Sequence, residues 1–251
     1  MIARAEIADE IQKYILVWCA EHGAENIWRA PVVKFADASN PLFPELKEIV
    51  VPTHYLPQDY LFGAQSVLSY FLPFRRDIGE SNSDGAQASR VWMEAYLLTN
   101  ALAADLNCRL AVFFREHGFS AAVPNDTGMI SSAVPKSRWS QRHVAYIAGH
   151  GTFGVNNMLI SEAGCVGRYY SLVTDMPVMA DERPETERCT YKRTGKCGVC
   201  LKKCPAGALT SEGFDRFLCL EQCMKNEMRC AGADVCGKCV AGVPCSYREM
   251  R

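Results

Sequence analysis

The chain opens with a helical period. Ile7, Ile11, Tyr14, Ile15 and Trp18 recur three and four residues apart, and Gly23 stands where such a helix ends. Two apolar runs follow, NIWRAPVVKF (26–35) and QSVLSYFLPF (65–74). Each has a proline at or near an end, and both predict strands. A polar loop, RRDIGESNSDGAQ (75–87), leads to the clearest helix, residues 89–107, in which Trp92, Tyr96, Thr99, Leu102 and Leu106 share a face. RLAVFF (109–114) predicts a further short strand. Ser140 is placed to cap a helix through QRHVAYIA that ends at Gly149. NNMLISEAGCVGRYYSLVTD (156–175) predicts a hairpin turning at Glu162-Ala-Gly164. Alternating strands and helices make residues 1–180 an α/β (α+β) layer of about one domain's size.

The pattern changes near residue 180. DMPVMADERPETER, from Asp175 to Arg188, is rich in proline and charge and predicts a linker. Residues 181–251 then form a second, smaller unit. With 49% hydrophobic and 22% charged residues, the composition is that of an ordinary globular protein. A formal net charge of −1 supplies no global field toward nucleic acid or membrane. No apolar run reaches the roughly 18 residues that span a bilayer, and the N-terminal segment has charges where a signal peptide needs an apolar stretch. A cytoplasmic location without a membrane partner is expected.

Thirteen cysteines change the picture most. Only Cys19, Cys108 and Cys165 precede residue 180, and they are expected to be buried apolar residues. The other ten lie between Cys189 and Cys245. In a reducing compartment that density points to metal or cluster ligation rather than disulfides. CGVCLKKCP, Cys197-x2-Cys200-x3-Cys204-Pro205, is the back half of the bacterial ferredoxin run C-x2-C-x2-C-x3-C-P. The run's first cysteine would fall at Thr194, and Cys189 can replace it through a longer loop. A second group, Cys236-x2-Cys239-x5-Cys245, follows.

A two-residue spacing lets one turn aim two thiolates and several backbone N–H groups at the same metal corner. The cysteine before the proline serves the neighbouring cluster in two-cluster ferredoxins. Interleaved ligation predicts one 4Fe–4S cluster on Cys189, Cys197, Cys200 and Cys245. The other takes Cys204, Cys236, Cys239 and one residue of the middle group, first Cys219, with Cys223 and Cys230 as alternatives. Structural zinc is the competing reading, but its paired knuckles do not call for the extra Cys-Pro.

With this tail behind an α/β half, the chain resembles the epoxyqueuosine reductase family, which is related to the reductive dehalogenases. The resemblance rests on Ala148-Gly-His-Gly-Thr-Phe-Gly154, Met158-Leu-Ile-Ser161, Thr174-Asp-Met-Pro177 and the cysteine series. It implies a nitroreductase-like, cobalamin-processing-like α/β domain followed by a ferredoxin-like double-cluster domain, with a cobalamin between the core and the clusters. The chain departs from the family pattern in three ways. Ser131-Ser-Ala-Val-Pro135 stands where the family carries an acidic residue, and Asp126 does not occupy that position. The helical-repeat extension that helps those enzymes hold tRNA is missing before Arg251. Basic and acidic residues number 14 and 18 up to residue 180, and 13 and 10 beyond it, which provides no broad RNA-binding surface. No tRNA substrate is expected.

Gly149-x-Gly151-x-x-Gly154 formally matches a dinucleotide fingerprint, but it follows a helix and precedes a strand, which reverses the required order. Gly149, Gly151, Thr152, Phe153 and Gly154 are instead candidates for close backbone approach to a flat cofactor. Arg142 and His143 are candidates for binding an anionic group or a cofactor side chain. His150, inside the loop, is the candidate proton donor, and His54 is a further candidate for the same cleft. The expectation is an iron–sulfur oxidoreductase fed by a ferredoxin or flavodoxin, acting on a corrinoid or a small molecule. The alternative is a non-enzymatic electron-transfer or corrinoid-reducing partner protein.

Overall fold

The computed structural model describes residues 2–248. Helix α1, Arg4–His22, runs as its period predicts and closes on Gly23 in the left-handed region. Strands β1 (Val32–Asp37) and β2 (Ser66–Pro73) lie within the two apolar runs. Between them stand helices α2 (Leu42–Ile49) and α3 (Pro57–Tyr60). The polar loop after β2 contains a short helix, α4 (Arg76–Glu80). Helix α5 spans Arg90–Glu116, with the Ser89 hydroxyl accepting from the Trp92 N–H at its start.

RLAVFF is therefore not a strand. It is the last part of α5, where Leu110, Phe113 and Phe114 extend the stripe of Leu102 and Leu106. A six-residue run of branched and aromatic residues fits either periodicity, and the sheet beneath the stripe decides for the helix. By length and hydropathy α5 meets the requirement for a membrane span. Here it is a core helix, with Leu102, Leu106, Leu110 and Phe114 fully buried.

Beyond α5 come β3 (Ala121–Ala122), α6 (Gln141–Ile147), β4 (Gly151–Phe153), β5 (Leu159–Ser161) and β6 (Gly167–Thr174). The expected hairpin over 156–175 does not form. β5 pairs backward with β4, whereas β6 leaves for the main sheet and lies beside β2 and β3. The Glu162–Gly164 turn joins two sheets instead of two partners. The main sheet has the order β1-β2-β6-β3 and is antiparallel throughout.

Both faces of this sheet are covered, which is why β2 is buried at every position and reads as a continuous apolar run. Leu68, Tyr70 and Leu72 face α1 and α5, whereas Val67 and Phe71 face the α2, α6 and β4–β5 side. The tail contributes three short helices, α7 (Thr190–Thr194), α8 (Val199–Lys202) and α9 (Arg216–Glu227).

The segment expected to be a linker has no regular structure, yet it is tied down. Met176 is fully buried, the Asp181 N–H donates to the Phe35 carbonyl at 2.8 Å, and the Asp181 carboxylate accepts from the Phe35 N–H at 2.8 Å. It is a strap laid across the edge of the sheet.

Candidate functional site

The tail's turns bring the cysteines into two adjoining groups. Cys200 has Cys245, Cys189 and Cys197 as its electrostatic neighbours. Burial first, then those three thiols, push its pKa up to about 11. Cys239 has Cys236, Cys219, Cys200 and Cys204 around it, and burial with these neighbours raises its pKa as well. Thiols brought this close hold one another protonated unless a cation neutralises them. Among the described residues, no three His, Cys, Asp or Glu side chains converge tightly enough to hold a single metal ion.

The middle cysteines differ from one another. Cys219 has its pKa lowered to about 7, first by a hydrogen bond with Cys223 and then, against burial, by Arg142 and Arg216. Cys223 lies beside Cys219 and Cys236. Cys230 packs instead against the α5 core. Of the three outlying cysteines, Cys19 and Cys165 are buried as expected, but Cys108 is exposed on α5. The Cys165 Sγ lies 3.9 Å from that of Cys245.

The body supplies hydrogen bonds to both groups. The Val155 N–H points at the Cys189 Sγ at 3.5 Å. The Asn156 amide donates to the Cys239 carbonyl at 2.9 Å, and the Asn82 amide donates to the Cys236 carbonyl at 2.9 Å. Asn82 and Asn156 escaped sequence reasoning because an asparagine in a polar loop carries no signal of what its amide reaches.

A cavity of about 810 Å³ opens beside the second cysteine group, within the usual range of small-ligand sites. Cys204, Cys219, Cys236 and Cys239 line it, whereas Cys189, Cys197, Cys200 and Cys245 do not. Its other walls include Tyr96 and Asn100 of α5, Arg142 at the start of α6, Arg168 of β6 and Arg216 of α9. Arg142 is braced by the Asn157 carbonyl at 2.7 Å. The Arg168 guanidinium sits 4.4 Å over the Tyr96 ring, and its Nε donates to the Tyr170 hydroxyl at 3.1 Å. The Tyr96 hydroxyl donates to Asp234, the one carboxylate among the described residues of the cavity wall. Asp126 is not on that wall, and its carboxylate accepts from the Tyr60 hydroxyl at 3.2 Å.

Of the body's expected site residues, only Arg142 lines this cavity. His150 is 1% exposed. Its Nε2–H donates to the Ser69 carbonyl at 3.1 Å, and its ring meets Tyr169 edge-on inside the sheet's second face. His143 shares a hydrogen bond with the Ser140 hydroxyl at 2.7 Å and lies against Phe153. Burial, with Arg142 nearby, lowers its pKa to about 4. The His54 Nε2 accepts from the Ser140 N–H at 3.1 Å, so it anchors the start of α6.

The glycine loop holds the strap. Gly149 has φ +83°, and a Cβ there would come within 2.5 Å of the Glu182 carbonyl. The Thr152 hydroxyl accepts from the Arg188 N–H at 2.8 Å, and Glu187, its other partner, accepts from the Cys189 N–H at 2.9 Å. The backbone does approach closely at these glycines, but to protein: Gly149 abuts the chain leading to Cys189, whereas Gly151 and Gly154 abut Ile160 and Asn156.

No known protein-family profile matches the chain, and no curated protein matches its sequence. Solved structures do resemble it. Epoxyqueuosine reductase from Streptococcus thermophilus aligns with a TM-score of 0.53 at 17% identity, covering 96% of this chain and 68% of that one. The Bacillus subtilis enzyme gives 0.53 and 17%, over 97% and 68%. A catabolic reductive dehalogenase gives 0.56 and 18%, over 87% of this chain and 30% of its own.

The fold is that of the epoxyqueuosine reductases and reductive dehalogenases. At this level of identity the likeness is one of fold. One epoxyqueuosine reductase of the set is bound to a tRNA-Tyr stem loop. A reductive dehalogenase structure of the set suggests a mechanism for B12-dependent dehalogenation.

Proposed function

We propose that this protein is an iron–sulfur oxidoreductase of the epoxyqueuosine reductase-like kind, working in the cytoplasm. It passes single electrons through two 4Fe–4S clusters to a cofactor or substrate held in the cavity. Cys189, Cys197, Cys200 and Cys245 would hold the outer cluster. Cys204, Cys219, Cys236 and Cys239 would hold the inner one, with Cys223 hydrogen-bonded beside Cys219. The observation that carries this reading is the grouping of neighbours: Cys200 gathers Cys189, Cys197 and Cys245, and Cys239 gathers Cys204, Cys219 and Cys236, with Cys200 lying where the two sets meet. At the outer set the Val155 N–H points at the Cys189 Sγ, which suits an anionic cluster, and at the inner set the Asn82 and Asn156 amides hold the backbone of Cys236 and Cys239 in place.

Cobalamin is the proposed occupant of the cavity. The residues fit its chemistry, because guanidinium, amide and phenol groups on the walls suit the amide- and phosphate-bearing rim of a corrinoid. When bound, it supplies a low-valent cobalt nucleophile. Arg142, Arg168 and Arg216 would orient the ligand. Because the only carboxylate among the described wall residues is already engaged by Tyr96, a second reading stands beside the first. In it the protein reduces a corrinoid for another protein and turns over no substrate itself.

Protein purified without oxygen is expected to be brown and to hold about eight iron atoms per chain. Cys200→Ser and Cys236→Ser should each remove about half of them. Titration with a corrinoid, followed by its visible spectrum, tests the cavity, and turnover with an artificial reductant separates the two readings. Colourless, iron-free protein would overturn the cluster assignment.

A further inference from the structure

We infer that the cationic surface formed by residues 190–203 docks an acidic one-electron carrier protein, which delivers electrons to the outer cysteine group. This rests on the cluster reading above. Between Cys189 and Cys204 the sequence carries Lys192, Arg193, Lys196, Lys202 and Lys203, and no carboxylate. Lys192, Arg193, Lys196 and Lys202 are exposed, and Lys203 is half-buried. Lys192 meets Glu187 at 3.8 Å and Lys203 reaches the Gly242 carbonyl at 3.5 Å, so part of the patch is anchored. Exposed charges of this kind contribute little to stability.

Placement gives the cations a function. Lys196 precedes Cys197, and Lys202 and Lys203 follow Cys200, so the charge sits on the turns that carry the outer thiols. Those thiols do not line the cavity, whereas the inner group does. Electrons that end in the cavity therefore come in most directly from the outer side, where the positive charge is. The chain as a whole is nearly neutral, so this is a local field rather than a share of a global one. A local patch of one sign raises the encounter rate of an oppositely charged partner and orients it. A nucleic acid fits less well, because a base bound for the cavity would meet Arg142, Arg168 and Arg216 on its walls and leave the 190–203 patch without a role. In each encounter the carrier is oxidised by one electron and the outer cluster is reduced by one, with no bond made and no proton required.

The test uses the anaerobic holoprotein with an acidic flavodoxin, reduced to its hydroquinone, as the probe. Stopped-flow oxidation of the flavodoxin should slow by about tenfold or more in the Lys192→Glu/Lys196→Glu/Lys202→Glu variant, given the usual size of electrostatic steering. Iron content and reduction by dithionite should stay unchanged. Reversal of the exposed Lys13, Lys47 and Arg115 on the body should leave the rate alone. Should the triple variant lose its iron, Lys196→Glu and the salt dependence of the wild-type rate carry the test, the rate falling steeply as salt rises.

Equal rates for wild type and variant overturn the proposal. So does a wild-type protein that dithionite reduces but flavodoxin does not. Loss of affinity for an RNA stem-loop in the variant, with the flavodoxin rate kept, also overturns it and assigns the patch to RNA. Iron-free wild-type protein overturns the cluster reading and this proposal together, and iron analysis before mixing separates that failure from the others.

Discussion

Burial holds the His150 ring neutral and lowers its pKa to about 3, opposed by the Ser69 carbonyl and assisted by Lys34 and Arg188. In the unfolded chain the same ring protonates near pH 6.5. Its folded value is depressed, so its contribution to stability is complete above pH 6.5 and drains away as pH falls from there toward 3. The slope is about 1.4 kcal/mol per pH unit for one group. His54 and His143 are shifted in the same direction, so a comparison with His150→Gln isolates the one ring. From pH 7 to pH 5 the stability of wild type relative to His150→Gln should fall by about 2 kcal/mol in urea unfolding. A difference that does not move with pH would show that the ring is not held neutral. A histidine in a glycine loop looks the same in sequence whether its ring faces a cleft or a core. Here the direction is set by Tyr169 and the Ser69 carbonyl, both distant along the chain. The C-x2-C spacings differ in kind, because such a spacing is a local signal that needs no partner distant along the chain.

At the scale of elements, the tail's second cysteine turn is fitted to α5. Gly237 has φ +70°, and a Cβ there would lie 2.4 Å from the Trp92 ring. Gly195, at the end of α7, has φ +72° but nothing within 4 Å. Gly195→Ala should therefore cost only the left-handed backbone term, about 1–2 kcal/mol. Gly237→Ala adds overpacking of about 1–3 kcal/mol against a rigid buried ring. It also displaces the turn that carries Cys236 and Cys239. Unfolding midpoints and iron content should rank the two variants, with Gly237→Ala losing about half its iron and Gly195→Ala keeping it. Equal losses would mean that the Trp92 contact does not position the turn. Much of α5 itself was readable, because Trp92, Leu102 and Leu106 repeat over many turns. Its last part was not, because RLAVFF alone fits two periods and only the packing of Leu110, Phe113 and Phe114 chooses. The β4–β5 pairing was hidden likewise, since three-residue strands leave too few positions for alternation to register.

Across the whole molecule, the shift in composition near residue 180 marks a change of chemistry more clearly than a change of body. Ala233 and Val240 of the tail share a core with Phe74 and Trp92. The fully buried Asn226 accepts from the Ala88 N–H at 3.1 Å and donates to the Val235 carbonyl at 2.9 Å. Lys238, 2% exposed, donates to the Asn82 carbonyl at 3.1 Å. The Cys165 and Val166 N–H groups both donate to the Ser246 carbonyl, so the tail's end is stitched to the segment entering β6. Removing the tail would uncover Trp92 and break the hydrogen bonds that Ala88, Asn82, Cys165 and Val166 make to it. A boundary at 180/181 then separates two sequence units that cannot unfold independently. Hydrogen exchange in β2, at Leu68 and Tyr70, reports on the body as urea rises. Hydrogen exchange at Val240 and Ser246 reports on the tail. The two should share one midpoint, as cooperative units do. Exchange at Val240 and Ser246 that opens at lower urea, while β2 stays protected, would instead make the tail a separate domain resting on the body.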